Sequence, residues 1–93
     1  MRIFEIDRDM DHAGMSDMRK SFDELARSSE DVCLDFSQVR FLDSSGVDEM
    51  NSLFKALRRR SLKMAIVHMQ SQPLRVLRQL LLGAKFGPAR TLH

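Results

Sequence analysis

The feature that most constrains the fold is a change of pattern in the middle of the chain. Residues 32–36 form an apolar run with one polar interruption, which is typical of a buried strand. From residue 47 to residue 60 the apolar residues instead recur with helical spacing. The polar segment 43–46 therefore lies where a strand ends and a helix begins, and a helix start offers unpaired backbone N–H groups. Three further apolar residues extend the run toward this point and are expected to be buried with it: Val39, Phe41 and Leu42.

The flanking segments predict further strands and helices in alternation. Residues 3–6 and 62–69 are predicted strands, and residues 17–28 form a predicted helix capped by Ser16. Pro73 introduces a third predicted helix over residues 74–82, which ends at Gly83. We therefore expect an α/β fold, a small mixed and largely parallel β-sheet with amphipathic helices packed on it and right-handed crossovers.

Composition and length predict one small globular domain over residues 1–93. The chain is 43% hydrophobic and 30% charged, and no apolar stretch approaches the ~18 residues of a membrane span. The first residues do not resemble a signal peptide. Cys33 is the only cysteine, so we expect a buried, unreactive thiol. These observations favour a cytoplasmic protein.

Charge is distributed unevenly along the chain. All 13 acidic residues lie in residues 1–50, whereas residues 51–93 contain basic residues and no acidic one. This polarity could steer a charged partner, or the two halves could neutralise each other in the fold. A nucleic-acid interface at residues 58–63 is disfavoured, because cations at a helix end complement the helix dipole and no aromatic residues are interleaved with them.

No arrangement of residues in the sequence indicates catalysis. A serine nucleophile needs a base within reach, and Ser44 lacks the Gly-x-Ser-x-Gly surroundings of a nucleophile elbow. The three histidines do not have the spacing of metal ligands, and no glycine-rich phosphate-binding motif is present. We therefore expect neither an enzyme nor a cofactor or metal site. The histidines, which we expect to be solvated or packed, are His12, His68 and His93.

A binding edge is predicted at the carboxyl ends of the strands, where the loops of a parallel sheet gather. Ser45 lies three residues before Asp48, a variant of the capping box, so we assign Ser45 to the helix cap. Ser44 is then the more available hydroxyl. The loops 8–14, 43–46 and 68–72 should bring the serines close to Asp9, Asp11, His12 and His68.

The segment Asp35-Phe36-Ser37-x-Val39-x-Phe41-Leu42-Asp43-Ser44-Ser45-Gly46 resembles the signature of STAS domains, the anti-sigma factor antagonist family. The resemblance extends over residues 4–86, most of the chain. It implies that Ser44 is the phosphoacceptor of an anti-sigma factor kinase, with Ser45 as the alternate. It also implies that Asp11 is the aspartate beside the phosphorylation loop, with Arg8 replacing the family's glycine. The residues expected to bind the partner are Asp11, Asp43, Ser44, Ser45, Gly46, Val47 and Met50.

The function implied by this resemblance is partner switching in a bacterial transcription-regulating pathway. The unphosphorylated protein would bind a kinase-like anti-sigma factor and release its sigma factor, and phosphorylation would oppose this binding. Direct nucleic-acid contact and membrane insertion are not expected. The alternative is an interaction module of a membrane transporter, either a subunit of an ABC lipid transporter or the tail of an anion transporter.

Two departures from the family pattern bear on these expectations. Asp48 and Glu49 stand where the family has small or apolar residues, and they add charge to the docking helix. Family members also usually carry a strand before residue 3 and a strand or helix after residue 86. The 93 residues are therefore expected to be a domain trimmed at one or both ends, a piece of a larger protein, or a minimal variant.

Overall fold

The computed structural model describes residues 1–81 and 90–92, which form an α/β fold with alternating strands and helices. The four strands form one sheet in the order β1-β2-β3-β4, and every pairing between them is parallel. The predicted fold class is confirmed. The elements in chain order are β1 (Arg2–Glu5), α1 (His12–Ala26), β2 (Val32–Asp35), α2 (Ser44–Arg58), β3 (Met64–Val67), α3 (Ser71–Leu81) and β4 (Arg90–Leu92).

β2 lies inside the sheet, between β1 and β3. Its residue Leu34 is paired with Phe4 on one side and with Ile66 on the other, and its side chain has 0% of its surface exposed. Alternate residues of a strand point to the same face, so Val32 and Met64 share this buried face with Leu34. The prediction of a central, buried strand at residues 32–36 is therefore confirmed.

α1 and α2 pack against each other over this buried face. Because each strand is followed by a parallel neighbour, successive crossovers of the same hand place their helices on the same side of the sheet. The ring of Phe22 on α1 meets the ring of Phe4 on β1 edge to face, with centroids 6.1 Å apart. The residues that the two helices bury in the core are Met15, Met18, Phe22, Leu25, Val47, Met50, Leu53, Phe54 and Leu57.

The helices begin earlier than the sequence pattern predicted. α1 begins at His12 and is capped by Asp11, so the prediction of a helix from residue 17 capped by Ser16 is wrong. α2 begins at Ser44 and not at residue 47, and α3 begins at Ser71. α2 and α3 each begin with two polar residues, which carry no mark of the helical period, and in α1 Gly14 interrupts the pattern before the buried Met15. Gly83 and the Gly87-Pro88 pair lie outside the described residues.

Cys33 is buried in β2, as predicted from the sequence. Burial raises the pKa of its thiol, and the nearby carboxylate of Asp35 raises it further. The neutral thiol is therefore favoured, which matches the expectation of an unreactive cysteine.

Replacing Leu34 by Ala should lower the free energy of unfolding by about 2–5 kcal/mol, because the substitution removes fully buried methyl groups and leaves a cavity. Urea denaturation measures this loss. The matched control is Ile3→Ala in β1, where 68% of the side chain is exposed and the change should stay within about 0.5 kcal/mol. Equal losses for the two variants would contradict the placement of the core.

Candidate functional site

The loops that follow β1 and β2 are joined by a short parallel bridge between Met10 and Leu42. The N–H of Met10 donates to the carbonyl oxygen of Phe41 at 3.0 Å, and the N–H of Asp43 donates to the carbonyl oxygen of Met10 at 3.2 Å. This bridge continues the sheet beyond the ends of its strands. It thereby places the amino ends of α1 and α2 next to each other at the carboxyl edge of the sheet.

Both helices begin with the same kind of cap. Asp11 caps α1, and its Oδ1 accepts a hydrogen bond from the N–H of Gly14 at 2.7 Å. Asp43 caps α2, and its Oδ1 accepts from the N–H groups of Ser45 at 2.8 Å and Gly46 at 3.3 Å. The sequence contains the signal for this repeat, since apolar–Asp–x–x–Gly–apolar occurs at residues 10–15 and again at residues 42–47.

The assignment of Ser45 to the helix cap is therefore wrong, because Asp43 occupies that position. The carboxylate of Asp43 accepts hydrogen bonds from two backbone N–H groups. Ser45 takes part only as one of the two donors, through its backbone N–H and not through its hydroxyl. Neither serine hydroxyl makes a hydrogen bond to another residue in the described part of the chain. Ser44, the first residue of α2, is exposed, whereas Ser45 is half-buried.

Gly46 makes the close approach of the two loops sterically allowed, and Gly14 allows the first loop to turn tightly into α1. A Cβ atom at Gly46 would lie 2.5 Å from the carbonyl oxygen of Met10 and 2.6 Å from Cδ1 of Leu42. A Cβ atom at Gly14 would overlap the carbonyl oxygen of Asp9. Each capped helix therefore needs a residue without a side chain in its first turn.

Two side chains fix the segment that precedes Ser44. Oδ1 of Asp9 accepts hydrogen bonds from the backbone N–H groups of Arg40 at 3.0 Å and Phe41 at 3.2 Å. The side-chain amide of Gln72, in the first turn of α3, binds the backbone of Leu42 twice. Leu42 N–H donates to Oε1 at 2.8 Å, and Nε2 donates to the carbonyl oxygen of Leu42 at 3.1 Å. No local pattern in the sequence indicates this role for Gln72.

The surface beside Ser44 includes an exposed aromatic ring. Phe41 is 45% exposed, so the prediction that it is buried with the preceding strand is wrong. Its backbone lies in the bridge, and its side chain points away from the core that receives Leu42. An exposed aromatic side chain next to polar groups is typical of residues that anchor protein–protein interfaces.

The remaining predicted partner-binding residues differ in accessibility. Asp11 and Asp43 are half-buried at the edge, whereas Gly46 and Val47 are buried. Met50 has 0% of its surface exposed, which corrects the expectation that its side chain contacts a partner. Met50 supports α2 from the core side.

Asp9 binds the backbone of Arg40 and Phe41, and the Met10–Leu42 bridge places Asp11 at the same edge of the sheet as Asp43. His12 is the exposed first residue of α1, and His68 follows β3 at the same edge of the sheet. Nδ1 of His68 lies 3.2 Å from Oδ1 of Asp35. The pKa of Asp35 is lowered mainly by the backbone N–H of Ser37, with His68 contributing further.

The carboxylate partner of His68 is therefore Asp35, and in this pair His68 is exposed and Asp35 is half-buried. No group of three or more His, Cys, Asp or Glu residues within the described ranges could hold a metal ion. His93 lies outside those ranges.

Ion pairs do little to join the acidic and basic halves of the chain. Among residues 1–81 and 90–92, the only ion pair between the halves is His68 with Asp35. The acidic residues of the loops after β1 and β2 and of the first half of α2 lie at the edge that holds Ser44, whereas the cations of residues 55–63 lie at the other end of α2. Charge is thus separated along α2, although the acidic residues between the end of α1 and the start of β2 lie at the same end of the molecule as these cations.

Comparison with known proteins gives matches to a family and to a solved structure. The family model of the STAS domain matches residues 1–93. A crystal structure of a proposed anti-sigma factor antagonist from Thermotoga maritima superposes with a TM-score of 0.82 at 19% sequence identity, covering 98% of this chain and 77% of that one. None of the curated proteins compared with the chain matches it significantly. No helix in residues 1–81 or 90–92 has the length and apolar composition to span a membrane.

Replacing Asp43 by Ala should lower the free energy of unfolding by about 0.5–2 kcal/mol, because two N–H groups of the first turn lose their acceptor. Chemical denaturation measures the loss. Ser45→Ala is the control and should change stability by no more than about 0.5 kcal/mol. A larger loss for Ser45→Ala than for Asp43→Ala would contradict this assignment of the cap.

Replacing Gln72 by Ala should speed hydrogen exchange at the Leu42 amide. The substitution removes the acceptor of the Leu42 N–H, which should lower the local stability by about 1–2 kcal/mol. This loss corresponds to an exchange rate faster by a factor of about 5–30. Amide exchange followed by NMR measures the rate. Gln70→Ala is the matched control, because the Gln70 amide binds the carbonyl oxygen of Ser37 instead. An unchanged rate at Leu42 would show that Gln72 does not hold this segment.

Proposed function

The chain belongs to the STAS domain family, and on this premise we propose that it is an anti-sigma factor antagonist switched by phosphorylation of Ser44. The observation that carries the proposal is the position of Ser44 as the exposed first residue of α2, directly after the capping carboxylate of Asp43. The hydroxyl has no hydrogen-bond partner in the described part of the chain. A kinase could therefore reach it without unfolding the helix.

The unphosphorylated surface is suited to protein binding. The exposed ring of Phe41 offers an apolar anchor, and the backbone that carries it is held by Met10, Asp9 and Gln72. An interface on a rigid backbone segment loses little conformational entropy when it forms. We propose that a kinase-like anti-sigma factor contacts the surface formed by Phe41 and Ser44, and that Asp11 and Asp43 lie at the border of this surface.

Phosphorylation would act on this surface by adding charge. A phosphate on Ser44 carries about −1.5 to −2 charges and lies next to Asp43, with the exposed Asp48 one turn along α2. The amino end of a helix tolerates an anion, so the fold should persist. Docking should fail, because the phosphate adds charge repulsion and bulk to a close-packed interface. A cost of about 3 kcal/mol weakens binding by over a hundredfold.

The proposal includes a cytoplasmic location and the absence of catalytic activity. The partner performs the chemistry, and this chain supplies a hydroxyl and a docking surface. An interaction module of a membrane transporter is the alternative. Such a module would bind its transporter ATPase whether or not Ser44 carried a phosphate.

Affinity capture from the native cell should separate these functions. Ser44→Ala should retain an anti-sigma factor identified by mass spectrometry, whereas Ser44→Asp should lose it with a melting temperature close to that of the parent. The matched control is Ser52→Asp, which adds the same charge at an exposed position further along α2. Equal capture by Ser44→Asp and the parent would contradict the switch.

Mapping of phosphorylated sites on the protein isolated from the same cells completes the test. Phosphate on Ser44 is the expected result. Phosphate on Ser45, or on neither serine, would contradict the assignment of the phosphoacceptor. Recovery of transporter subunits in place of an anti-sigma factor would favour the alternative function.

A further inference from the structure

A cavity of about 430 Å³ lies at the end of the molecule opposite to Ser44, beside the amino ends of β2 and β3. Its volume falls within the range of small-molecule sites in proteins. Apolar side chains contributed by β2, by the second half of α2 and by the segment leading into β3 line it: Val32, Phe54, Leu62, Met64 and Ala65. An apolar ligand segment in this cavity would be removed from water, which is the main favourable contribution to binding of hydrocarbon groups.

Two cations border the same cavity. Arg58 is the last residue of α2, and Lys63 directly precedes β3. Both side chains are exposed, and neither forms an ion pair with a carboxylate within the described residues. One carboxylate, that of Asp31, also borders the cavity, and its Oδ1 accepts a hydrogen bond from the backbone N–H of Lys63 at 2.9 Å. Among the described residues that border the opening, cations therefore outnumber carboxylates.

The combination of an apolar cavity and cations at its border defines the chemistry of a ligand. We propose that the cavity binds the hydrocarbon chain of a single-chain anionic amphiphile, such as a fatty acid, with the anionic head group between Arg58 and Lys63. A purely apolar ligand would leave these cations unused, and a small anion would leave the apolar walls unfilled. A nucleic acid fits less well, because Phe54, the aromatic residue of the site, is almost entirely buried and cannot serve as a stacking surface.

This proposal is independent of the proposed function of Ser44. The two sites are at opposite ends of α2, whose 15 residues separate them by about 21 Å at 1.5 Å per residue. Loss of either site by substitution should leave the other intact. A failed amphiphile experiment would therefore say nothing against the phosphorylation switch.

Titration of the full chain with decanoate, at concentrations below micelle formation, tests the proposal by calorimetry. Decanoate should bind saturably with one molecule per chain. Decanol, which has the same tail without the charge, should bind roughly tenfold more weakly. Butyrate, which has the head group without the tail, should show no binding.

Substitutions locate the site. Arg58→Gln and Lys63→Gln should each weaken decanoate binding by roughly three- to tenfold. Arg75→Gln is the matched control, because it removes an exposed cation of α3 that does not border the cavity. Ala65→Leu should abolish binding by filling the cavity. If Ala65→Leu fails to fold, decanoate-induced shifts of the methyl resonances of Leu62, Met64 and Ala65 in the parent chain locate the ligand directly.

Three results would overturn the proposal. These are the absence of saturable decanoate binding, an equal loss of affinity in Arg75→Gln, and methyl shifts confined to residues outside the cavity. Binding to phosphatidylglycerol vesicles without binding of decanoate would also overturn it, because the cations would then serve a flat anionic surface and not the cavity.

Discussion

The pairing of Met10 with Leu42 is the interaction on which the rest of the candidate site depends. It brings together the amino ends of two helices, each of which carries a partial positive charge. Two such ends repel unless negative groups lie between them, and Asp11 and Asp43 supply one carboxylate to each. The two caps therefore do more than satisfy backbone N–H groups, because they also compensate the charge of the adjacent helix ends. The tight packing of these loops also explains the glycine in the first turn of each helix. A Cβ atom at Gly46 would meet Met10 of the other loop and Leu42 of its own, and a Cβ atom at Gly14 would meet Asp9 of its own loop.

A consequence for Ser44 is that its backbone has little freedom. The segment before it is hydrogen-bonded on one side to Met10 and on the other to Gln72, whose side-chain amide replaces the backbone of a neighbouring strand. Asp9 holds the same segment one residue earlier. A modification at Ser44 would therefore change the charge and shape of a rigid surface, and the fold need not rearrange for a partner to detect it. This property distinguishes a surface switch from an order–disorder switch, in which a segment folds or unfolds on modification.

The sequence predicts this architecture well where the spacing of apolar residues distinguishes strands from helices. Leu34 and the strand around it, the alternation of strands and helices, and the loop at Asp43 all follow from apolar periodicity and from the change of period after Leu42. The errors arise where polar residues decide the outcome. α2 begins with two serines and α1 with a turn interrupted by Gly14, so the apolar pattern predicts both helix starts too late. The same pattern does not distinguish the capping carboxylate of Asp43 from the hydroxyl of Ser45. Phe41 is exposed although it is apolar, because the sequence does not show which apolar residues after the end of a strand turn outward. The contact of Gln72 with Leu42 spans 30 positions of the chain and leaves no local pattern.

The separation of charge along α2 bears on how a phosphate at Ser44 would be sensed. The chain has cations in excess after residue 50, and a compact fold might be expected to use them to neutralise such a phosphate. The cluster around Arg58 lies at the other end of α2, about 21 Å away by the rise of the helix. Screening by salt at physiological ionic strength acts over about 8 Å, so this cluster cannot compensate a charge at Ser44. Arg8, a cation of the loop before α1, is already bound to Asp7 and Asp17. The cations at the far end of α2 therefore do not offset the charge of a phosphate at Ser44, and the amino end of α2 is the helix end that would stabilise it.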